Sequence, residues 1–478
     1  MNLIPESLVL NKESIKKIHS TSINILENIG IKLLHDKLFE YIQDFEGVKV
    51  DKQNSVVKFS PEIVNNSIKK ASRNIKVYGR DKNNGINFNP GKVFTTSSWG
   101  MAFKIDIATN KKVPASSEDL KESAVINDYL ENIDMVGAMF RPADIPEYYR
   151  DVYEYGETIK RTTKPVAVWI TDGNSFEYII EIYKLFLDDK ERLEEYPPIF
   201  YHFENISPLT FQHDGVDILY KCAKLGLPIH SVPIPQPMAT GPVTIAGSLA
   251  LGNAEVLACL VLTQLIKPGL PFMYGLECLV PDPFTMVATF GGAPEHTLFI
   301  LGQFQLARYY GFTVFLNQLT CSNLIDFQMG VELGINTLFC LSGNFFGQLG
   351  IVGPDQGASL IKLILEDETI SYLKRIKEGF KVDDNTLAYD VIKNVGIGGN
   401  FLLEEHTLKY VKSEYWRPKI FNRDSYTVWD KKGKMPLINK AKELKNHILK
   451  THKVDYVKAD IEKEIDKIIV RAKDNLKK

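Results

Sequence analysis

From about Glu118 onward the sequence repeats one pattern, in which a stretch of helical spacing is followed by a short apolar run that closes on polar residues or glycine. The runs are IDMVGAMF (133–140), VAVWIT (166–171), IFYHFE (199–204), PIHSVPI (228–234), PFMYGLE (271–277), TVFLNQ (313–318) and NTLFCLSG (336–343). Short strands that alternate with helices form parallel sheets, because a parallel connection needs a long crossover. With residues 93–97 or the GIGGNFL segment (396–402) as an eighth strand, the pattern predicts an α/β fold, a (β/α)8 TIM barrel.

The flanking sequences predict additions to this barrel. Residues 1–90 read as an N-terminal helical cap, with helical spacing over 11–29 and a Ser-Pro-Glu helix start at 60–62. The barrel then occupies 91–430, and the Lys- and Glu-rich remainder, 431–478, reads as a C-terminal helical tail. A doubly wound sheet is the alternative, but no G-x-G-x-x-G motif occurs in a strand-to-helix turn.

Charge and cysteine content exclude several classes of protein. The 57 basic and 59 acidic side chains give a net charge of −2, so no nucleic-acid partner is expected. Five widely spaced cysteines without a CxxC pair argue against a disulfide framework and a structural zinc site, and no metal is expected. The N-terminus lacks a signal-peptide pattern and no continuous apolar run of about 20 residues is present, so we expect a cytoplasmic protein without a membrane partner.

Hydrolytic motifs are absent from the sequence. It contains no G-x-S-x-G elbow and no H-E-x-x-H pair, and its nine histidines are scattered. A glycosidase with paired carboxylates stays open as an alternative, because four acids lie near predicted strand ends: Glu204, Glu277, Asp326 and Glu332.

The residues that close the apolar runs are rich in aromatic and amide side chains. Barrel active sites lie where strands end, which makes these residues candidates for a binding site. They are Trp99, Trp169, Tyr201, His202, Phe203, Gln236, Tyr274, Glu277, Asn317, Gln318 and Asn344. Aromatic faces attract a quaternary ammonium, each contact contributing about 0.5–2 kcal/mol. A cage for a trimethylammonium group is one interpretation, and ordinary core layers are the other.

Several long segments carry a family resemblance. They are ENIGIKLLHDKLFEYI (27–42), VYGRD (77–81), the stretch from SVPIPQP to PFMYG (231–275), ASLIKLILEDETI (358–370) and HTLKYVKSEYWRP (406–418). Together they resemble the trimethylamine methyltransferase family of corrinoid-dependent methyltransferases, over about 18–429. In such enzymes a Co(I) corrinoid, carried by a cognate corrinoid protein, attacks an N-methyl carbon in line and the amine leaves. The resemblance also suggests a homo-oligomer.

One departure from the family bears on the substrate. Trimethylamine methyltransferases proper carry pyrrolysine before the ASLIKLILEDE-like helix, whereas this chain has ordinary residues, GIVGPDQG, at 350–357. The resemblance therefore implies the branch without pyrrolysine, whose substrates are quaternary amines such as glycine betaine, proline betaine or carnitine. Asp355 or Gln356 would lie near the vacated position. A quaternary amine leaves as a neutral tertiary amine, so no general acid is required and no catalytic residue is assigned.

Individual roles follow from this substrate. Five donors could meet a betaine carboxylate: Arg141, His202, Gln236, Asn317 and Gln318. Glu277 could complement the ammonium. The glycine-rich segment around 396–406 is the expected corrinoid contact, because glycines admit a flat macrocycle and polar groups can bond its amides; its residues are Gly396, Gly398, Gly399, Asn400 and His406. These glycines could instead only shape a rim. A betaine-binding protein without chemistry and a structural scaffold are the alternatives from other classes.

Overall fold

The computed structural model describes residues 9–88, 92–106, 109–289, 291–343, 345–353, 357–455 and 457–477. In this part of the chain eight short strands pair in parallel, and each is followed by a helix. The strands are Phe94–Ser97, Val136–Gly137, Val166–Ala167, Tyr201–Phe203, Ile229–Ser231, Phe272–Tyr274, Phe315–Asn317 and Phe345–Leu349. The helices are Ser117–Tyr129, Glu147–Ile159, Gly173–Lys184, His213–Leu225, Ile245–Ile266, Pro294–Tyr310, Phe327–Cys340 and Leu360–Glu378. The predicted α/β class is confirmed.

Parallel pairing follows chain order through most of these strands. One series of neighbouring strands is, in order, Val166–Ala167, Val136–Gly137, Phe94–Ser97, Phe345–Leu349 and Phe315–Asn317. Within it, the Thr96–Met135 bridge joins Phe94–Ser97 to the start of Val136–Gly137. The Tyr274–Val314 bridge leads on to Phe272–Tyr274, Ile229–Ser231 and Tyr201–Phe203. Among the described residues no pair joins Tyr201–Phe203 to Val166–Ala167, so the sheet pairing does not show a closed barrel.

Two expectations about strands need correction. The apolar run at 336–343 is not a strand, because most of it completes the helix Phe327–Cys340, and the strand follows at Phe345–Leu349. Thr337 and Cys340 are buried three residues apart, a spacing that suits a helix, and a short apolar run alone does not distinguish the two states. The GIGGNFL segment is not the eighth strand either, since Phe94–Ser97 takes that place.

The N-terminal part is mixed rather than mainly helical. Its helices are Lys12–Asn28, Asp36–Ile42 and Pro61–Lys70, and its strands Ile31–Leu33, Val48–Asp51 and Val56–Phe59 form a sheet with Thr210–Phe211. Asn11 caps the first helix and Ser60 the third, the latter as its Ser-Pro start predicts. The β-branched stretch 48–59 forms the hairpin that helical spacing did not reveal.

The remaining elements are short strands, one 3₁₀ turn and C-terminal helices. The strands are Lys76–Val77, Ile86–Asn87, Phe103–Asp106, Lys111–Pro114, Val280–Pro281, Ala288–Thr289, Ile351–Val352 and Gly357–Ala358, and the turn is Lys82–Asn84. The helices are Asp384–Leu387, Tyr389–Val395, Glu405–Glu414, Tyr426–Lys431, Leu437–Thr451 and Ala459–Asn475. The last helix packs on Glu147–Ile159, where a Cβ on Gly156 would come within 2.7 Å of Ile469.

The hydrophobic core includes one unusually apolar helix, Ile245–Ile266. In the described residues it is the one helix long and apolar enough to cross a membrane by length and composition, which the expectation of no such run had missed. Of its most apolar 18-residue window, 78% is buried inside the fold, against the N-terminal helices and the neighbouring helix Pro294–Tyr310. This burial is typical of the core helix of a globular protein.

Candidate active site

A cavity of about 400 Å³ lies where the parallel strands end. Its walls include residues at or after the ends of seven of the eight strands: Trp99, Arg141, Trp169, Glu204, Glu277, Asn317 and Gln348. A second lobe of about 280 Å³ shares Trp99, Trp169 and Glu204 and adds Tyr201 and His202. Volumes of this order suit a small-molecule ligand.

Two indole rings flank the histidine in the cavity wall. The ring centroids of Trp99 and Trp169 lie 5.4 Å and 6.0 Å from that of His202. Trp99 is 1% exposed, whereas Trp169 is only half-buried. Gly100 turns the chain between strand and wall with φ +77°, a conformation that favours glycine, and its Cβ position lies 3.4 Å from Trp169. The rings therefore present aromatic surface beside a polar group.

Both nitrogens of His202 are already hydrogen-bonded. Nε2 lies 3.0 Å from Oε1 of Glu204, and Nδ1 lies 3.1 Å from Nδ1 of His230. Burial lowers the pKa of His230 well below its usual value, so this imidazole is neutral. Nε2 of His230 has no hydrogen-bond partner, and the His230 ring lies against Phe200 and Phe315. We infer that His230 Nδ1–H donates to His202, whose Nε2–H donates to Glu204.

Glu277 lines the cavity together with Glu147 and Glu204. Burial raises its pKa to about 7, the charge of Glu204 adds to that rise, and His202 and the neighbouring Asn317 oppose it. Its Oε1 is buried and has no hydrogen-bond partner in the structure. Both side-chain polar atoms of Asn317 are likewise buried without a partner. Such unsatisfied groups are costly in an empty protein interior, which favours a polar or charged ligand here.

Arg141 is the cationic group at the cavity. Its Nη2 donates to Oδ1 of Asp151 at 3.0 Å, and its Nε lies 3.8 Å from Oε1 of Glu154. Its Nη1 is buried and unpartnered. The guanidinium is held on one side and has a free donor on the other.

The structure brings together only part of the predicted binding set. Trp99, Glu277 and Asn317 line the cavity, and His202 and Tyr201 line the smaller lobe. The Tyr201 hydroxyl donates to the carbonyl of Gly215 at 3.2 Å. Gln356 and Asn344 lie outside the described residues.

Four other predicted positions face away from the cavity. The Tyr274 hydroxyl donates to Oδ1 of Asn253 at 2.8 Å in the helical layer. Phe203 packs on Phe211, and the Gln318 amide donates to Glu366 at 3.3 Å. Gln236 lies in a turn and is not among the lining residues. For Phe203 and Gln318, alternation along the chain explains the placement, since each is next to a residue that faces the cavity or its smaller lobe.

The predicted corrinoid contact lies away from the cavity. The helix Leu360–Glu378 begins beside Gly350, at the carboxyl end of the last parallel strand, and ends where Lys377 donates to the carbonyl of Leu341, before that strand. A helix of this length spans roughly 28 Å. Both ends of the segment from 380 to 414 lie beside the C-terminal end of this helix, where Arg375 donates to the carbonyls of Gly379 and Glu414.

In that segment Gly396, Gly398 and Gly399 are exposed, as is Asn400, and His406 bonds only the carbonyl of Asn385. A Cβ on Gly396 or Gly398 would meet nothing within 4 Å. The positive φ of these two residues shapes a turn between helices. None of these five residues lines the cavity, and their contact with a corrinoid stays a prediction.

Sequence reasoning missed Gln348. It lines the cavity with φ +65°, and its Oε1 is buried without a partner. A non-glycine residue with positive φ is uncommon and often marks a functional site. Placing the last strand at 345–349 would have identified it, because it then stands one residue before a strand end.

Known proteins similar to this chain are methyltransferases. The glycine betaine methyltransferase of Desulfitobacterium hafniense (strain Y51) is 28% identical over 472 residues, covering 97% of this chain and 96% of that protein. The trimethylamine methyltransferase MttB of Methanosarcina thermophila is 29% identical, covering 97% of each. The crystal structure of the Methanosarcina barkeri monomethylamine methyltransferase (MtmB) matches 93% of each chain at 10% identity, with a TM-score of 0.48.

The protein is thus an enzyme of the methyltransferase class. The family model described as Trimethylamine methyltransferase (MTTB) matches residues 1–477, and the chain belongs to this family. The glycosidase alternative is thereby overturned. Two of its four acids also serve local structure, since Asp326 caps a helix and Glu332 accepts from the Cys321 amide at 2.9 Å.

Proposed function

We propose that this protein transfers a methyl group from a quaternary amine, glycine betaine foremost, to the corrinoid of a partner protein and releases the tertiary amine. The observation that carries the proposal is a cavity whose walls combine two indole rings with the carboxyl groups of Glu204 and Glu277. This combination suits a permanent cation. The similarity to a glycine betaine methyltransferase supports the choice of substrate.

Both the indole rings and the carboxyl groups in the cavity wall would bind the ammonium. Trp99 and Trp169 offer ring faces, each contributing about 0.5–2 kcal/mol to binding of a desolvated cation. Glu204, held by His202, offers a fixed negative charge, and Glu277 can supply a second one when it ionises. Two carboxylates in one small cavity repel each other, and a cation between them relieves that repulsion. The cavity walls are thus arranged to bind a positive charge.

The chemistry places few demands on the chain itself. When its carrier protein is docked, the reduced corrinoid supplies the nucleophile that accepts the methyl group. The residues of this chain hold and orient the ammonium and exclude water from it. Because the amine leaves as a neutral tertiary amine, no side chain has to deliver a proton.

A corrinoid carrier has to reach the mouth of the cavity. Two very exposed aromatic side chains lie on this side of the fold: Phe284, in a loop, is 94% exposed, and Phe327, the first residue of a helix, is 88% exposed. They follow strands Phe272–Tyr274 and Phe315–Asn317, whose ends also supply Glu277 and Asn317 to the cavity. Exposed apolar side chains of this kind are typical of protein contact surfaces. We place the carrier here rather than at the glycine-rich segment.

We also propose that the strands close into a barrel and that the protein forms a homo-oligomer. Eight strand–helix units in the described residues and their consecutive parallel pairing support closure into a (β/α)8 barrel. The apolar side chains exposed between 380 and 414, Ile397, Leu402 and Leu403 among them, are compatible with assembly into a homo-oligomer.

One assay tests the reaction and its substrate. Cob(I)alamin is incubated with the enzyme and glycine betaine, proline betaine, carnitine or trimethylamine, and the absorbance of methylcobalamin is followed. We expect one methyl group per betaine molecule and little turnover of trimethylamine. Equal turnover of trimethylamine, or repeated demethylation of one molecule, would overturn the proposal.

A further inference from the structure

Arg141 has a donor that nothing in the fold uses. Its side chain is 13% exposed and lines the cavity, and its Nη1 is buried without a partner. A guanidinium carries five N–H donors in a rigid plane and cannot give up its charge in a protein. A buried, unpaired N–H on such a group is costly unless a ligand completes it. Arg141 is therefore arranged to receive an acceptor from the cavity.

The neighbours of Arg141 fix its position and leave its charge available. Asp151 accepts from Arg141 on one oxygen and from the Thr171 amide and hydroxyl on the other, at 2.6 Å and 2.7 Å. Glu154 is fully buried, neither of its oxygens has a hydrogen-bond partner, and burial raises its pKa well above its usual value, which favours the neutral carboxyl group. Arg141 therefore donates to Asp151 through Nη2, and its Nη1 is left without a partner in a side chain that lines the cavity.

The other donors considered for an anion are less suitable. Both nitrogens of His202 are engaged, by Glu204 and by His230. Gln318 is turned toward Glu366. Asn317 faces the cavity with an unpaired amide but carries no charge. A charged donor forms shorter and stronger hydrogen bonds to a carboxylate than a neutral amide does.

We propose that Arg141 binds the carboxylate of the substrate through Nη1, so that the cavity selects zwitterionic quaternary amines over purely cationic ones. The indole rings and the carboxyl groups of Glu204 and Glu277 hold the ammonium, and Arg141 lies on the wall of the same cavity. This inference rests on the proposed function, because it names the class of quaternary amine that the site accepts. Choline has a hydroxymethyl group in place of the carboxylate. It is the matched probe for purely cationic quaternary amines.

Calorimetry with glycine betaine and with choline tests the assignment. In the wild-type enzyme we expect betaine to bind at least about tenfold more tightly than choline. Arg141→Gln should lower betaine affinity by roughly 10- to 100-fold, the range for a hydrogen bond to a charged group. Its choline affinity should change by less than about threefold. Arg141→Lys should fall between wild type and Arg141→Gln for betaine, because an ammonium keeps the charge and loses the planar fork.

Arg161→Gln is the matched control. Arg161 is 18% exposed and pairs with Glu157 at 2.8 Å on the same helix as Asp151, away from the cavity. It should leave the ratio of betaine to choline affinity unchanged. Equal losses for both ligands in Arg141→Gln, or equal wild-type affinities for the two, would overturn the carboxylate role. Wild-type enzyme that binds neither ligand would instead refute the proposed function itself.

Discussion

His202 and Glu204 lie two residues apart at the end of one strand, and Nε2 of the histidine is 3.0 Å from Oε1 of the carboxylate. Because strand side chains alternate, this spacing puts both on the cavity side of the sheet. The histidine is 8% exposed and the carboxylate 28% exposed, so the pair joins a buried anchor to an accessible charge. The relationship explains how a flexible glutamate can present a fixed anion to a cationic substrate.

Removing the anchor should loosen that anion. His202→Ala should raise the Michaelis constant for glycine betaine about fivefold, because the hydrogen bond that holds Glu204 contributes on the order of 1 kcal/mol. The measurement is methyl transfer to cob(I)alamin at varied betaine concentration. His452→Ala is the control, since its pair with Asp128 is a His–carboxylate contact at 2.9 Å and neither residue lines the cavity or its smaller lobe. A Michaelis constant that changes equally in both variants would contradict the role of His202.

Betaine affinity should depend on pH through Glu277. Its pKa is raised to about 7, chiefly by burial, so the free enzyme holds a proton there below that pH. A cation favours the ionised form, and affinity should therefore rise with pH up to about 7 and level off above it. Calorimetry between pH 5.5 and 8.5 would show this curve, and Glu277→Gln should flatten it. An unchanged slope in Glu277→Gln would assign the titration to another group.

The same raised pKa has a consequence for stability. The folded state prefers protonated Glu277, so this group makes the protein less stable as pH rises from its ordinary pKa toward about 7. Glu277→Gln should remove this decline. Urea unfolding of both proteins at pH 5 and pH 7.5 measures the difference, and identical pH dependence in the two would contradict it.

The indole rings should matter for binding, whereas Tyr274 should matter for stability. Trp169→Ala should weaken betaine binding by about 1–2 kcal/mol if its ring faces the desolvated cation. Tyr274→Phe removes the hydroxyl that donates to Asn253 at 2.8 Å and should cost about 1 kcal/mol of unfolding free energy with betaine affinity unchanged. Calorimetry and urea unfolding of both variants separate the effects. Weaker betaine binding in Tyr274→Phe would indicate instead that Tyr274 contacts the ammonium.

Docking of the corrinoid carrier should depend on the cavity side of the fold. Phe284→Ser and Phe327→Ser should lower methyl transfer to a protein-bound corrinoid by about tenfold, as expected for aromatic contacts at an interface, and spare transfer to free cob(I)alamin. Phe380→Ser is the control, because that residue is 78% exposed beyond the opposite end of the helix Leu360–Glu378. Gly398→Val strains the local backbone, because φ of this residue is positive, but its Cβ would meet open space, so the folded variant should also leave transfer intact. Impaired transfer in Gly398→Val, together with normal transfer in the Phe284→Ser and Phe327→Ser variants, would indicate that the carrier docks at the glycine-rich segment instead.

Local pattern in the sequence determined the class of fold and many element boundaries. The alternation of helices with short apolar runs predicted parallel α/β structure, and Ser60 with Pro61 marked a helix start because capping and a fixed φ are local properties. The absence of charge bias and of hydrolytic motifs narrowed the range of functions. Resemblance over most of the chain identified the family, which the family model confirms.

Tertiary structure decided which side chains share the cavity. Aromatic character near a strand end selected Tyr274 and His202 alike, yet one faces the helical layer and the other the cavity. A shift of one residue along a strand reverses the side that a residue faces, and composition does not fix that register. Gln348 was identified as a site residue only from the structure, and Arg141, one of five candidate donors in the sequence, was distinguished from the others only by its buried, unpaired Nη1. Such pairing is a property of three-dimensional packing, which no local pattern records.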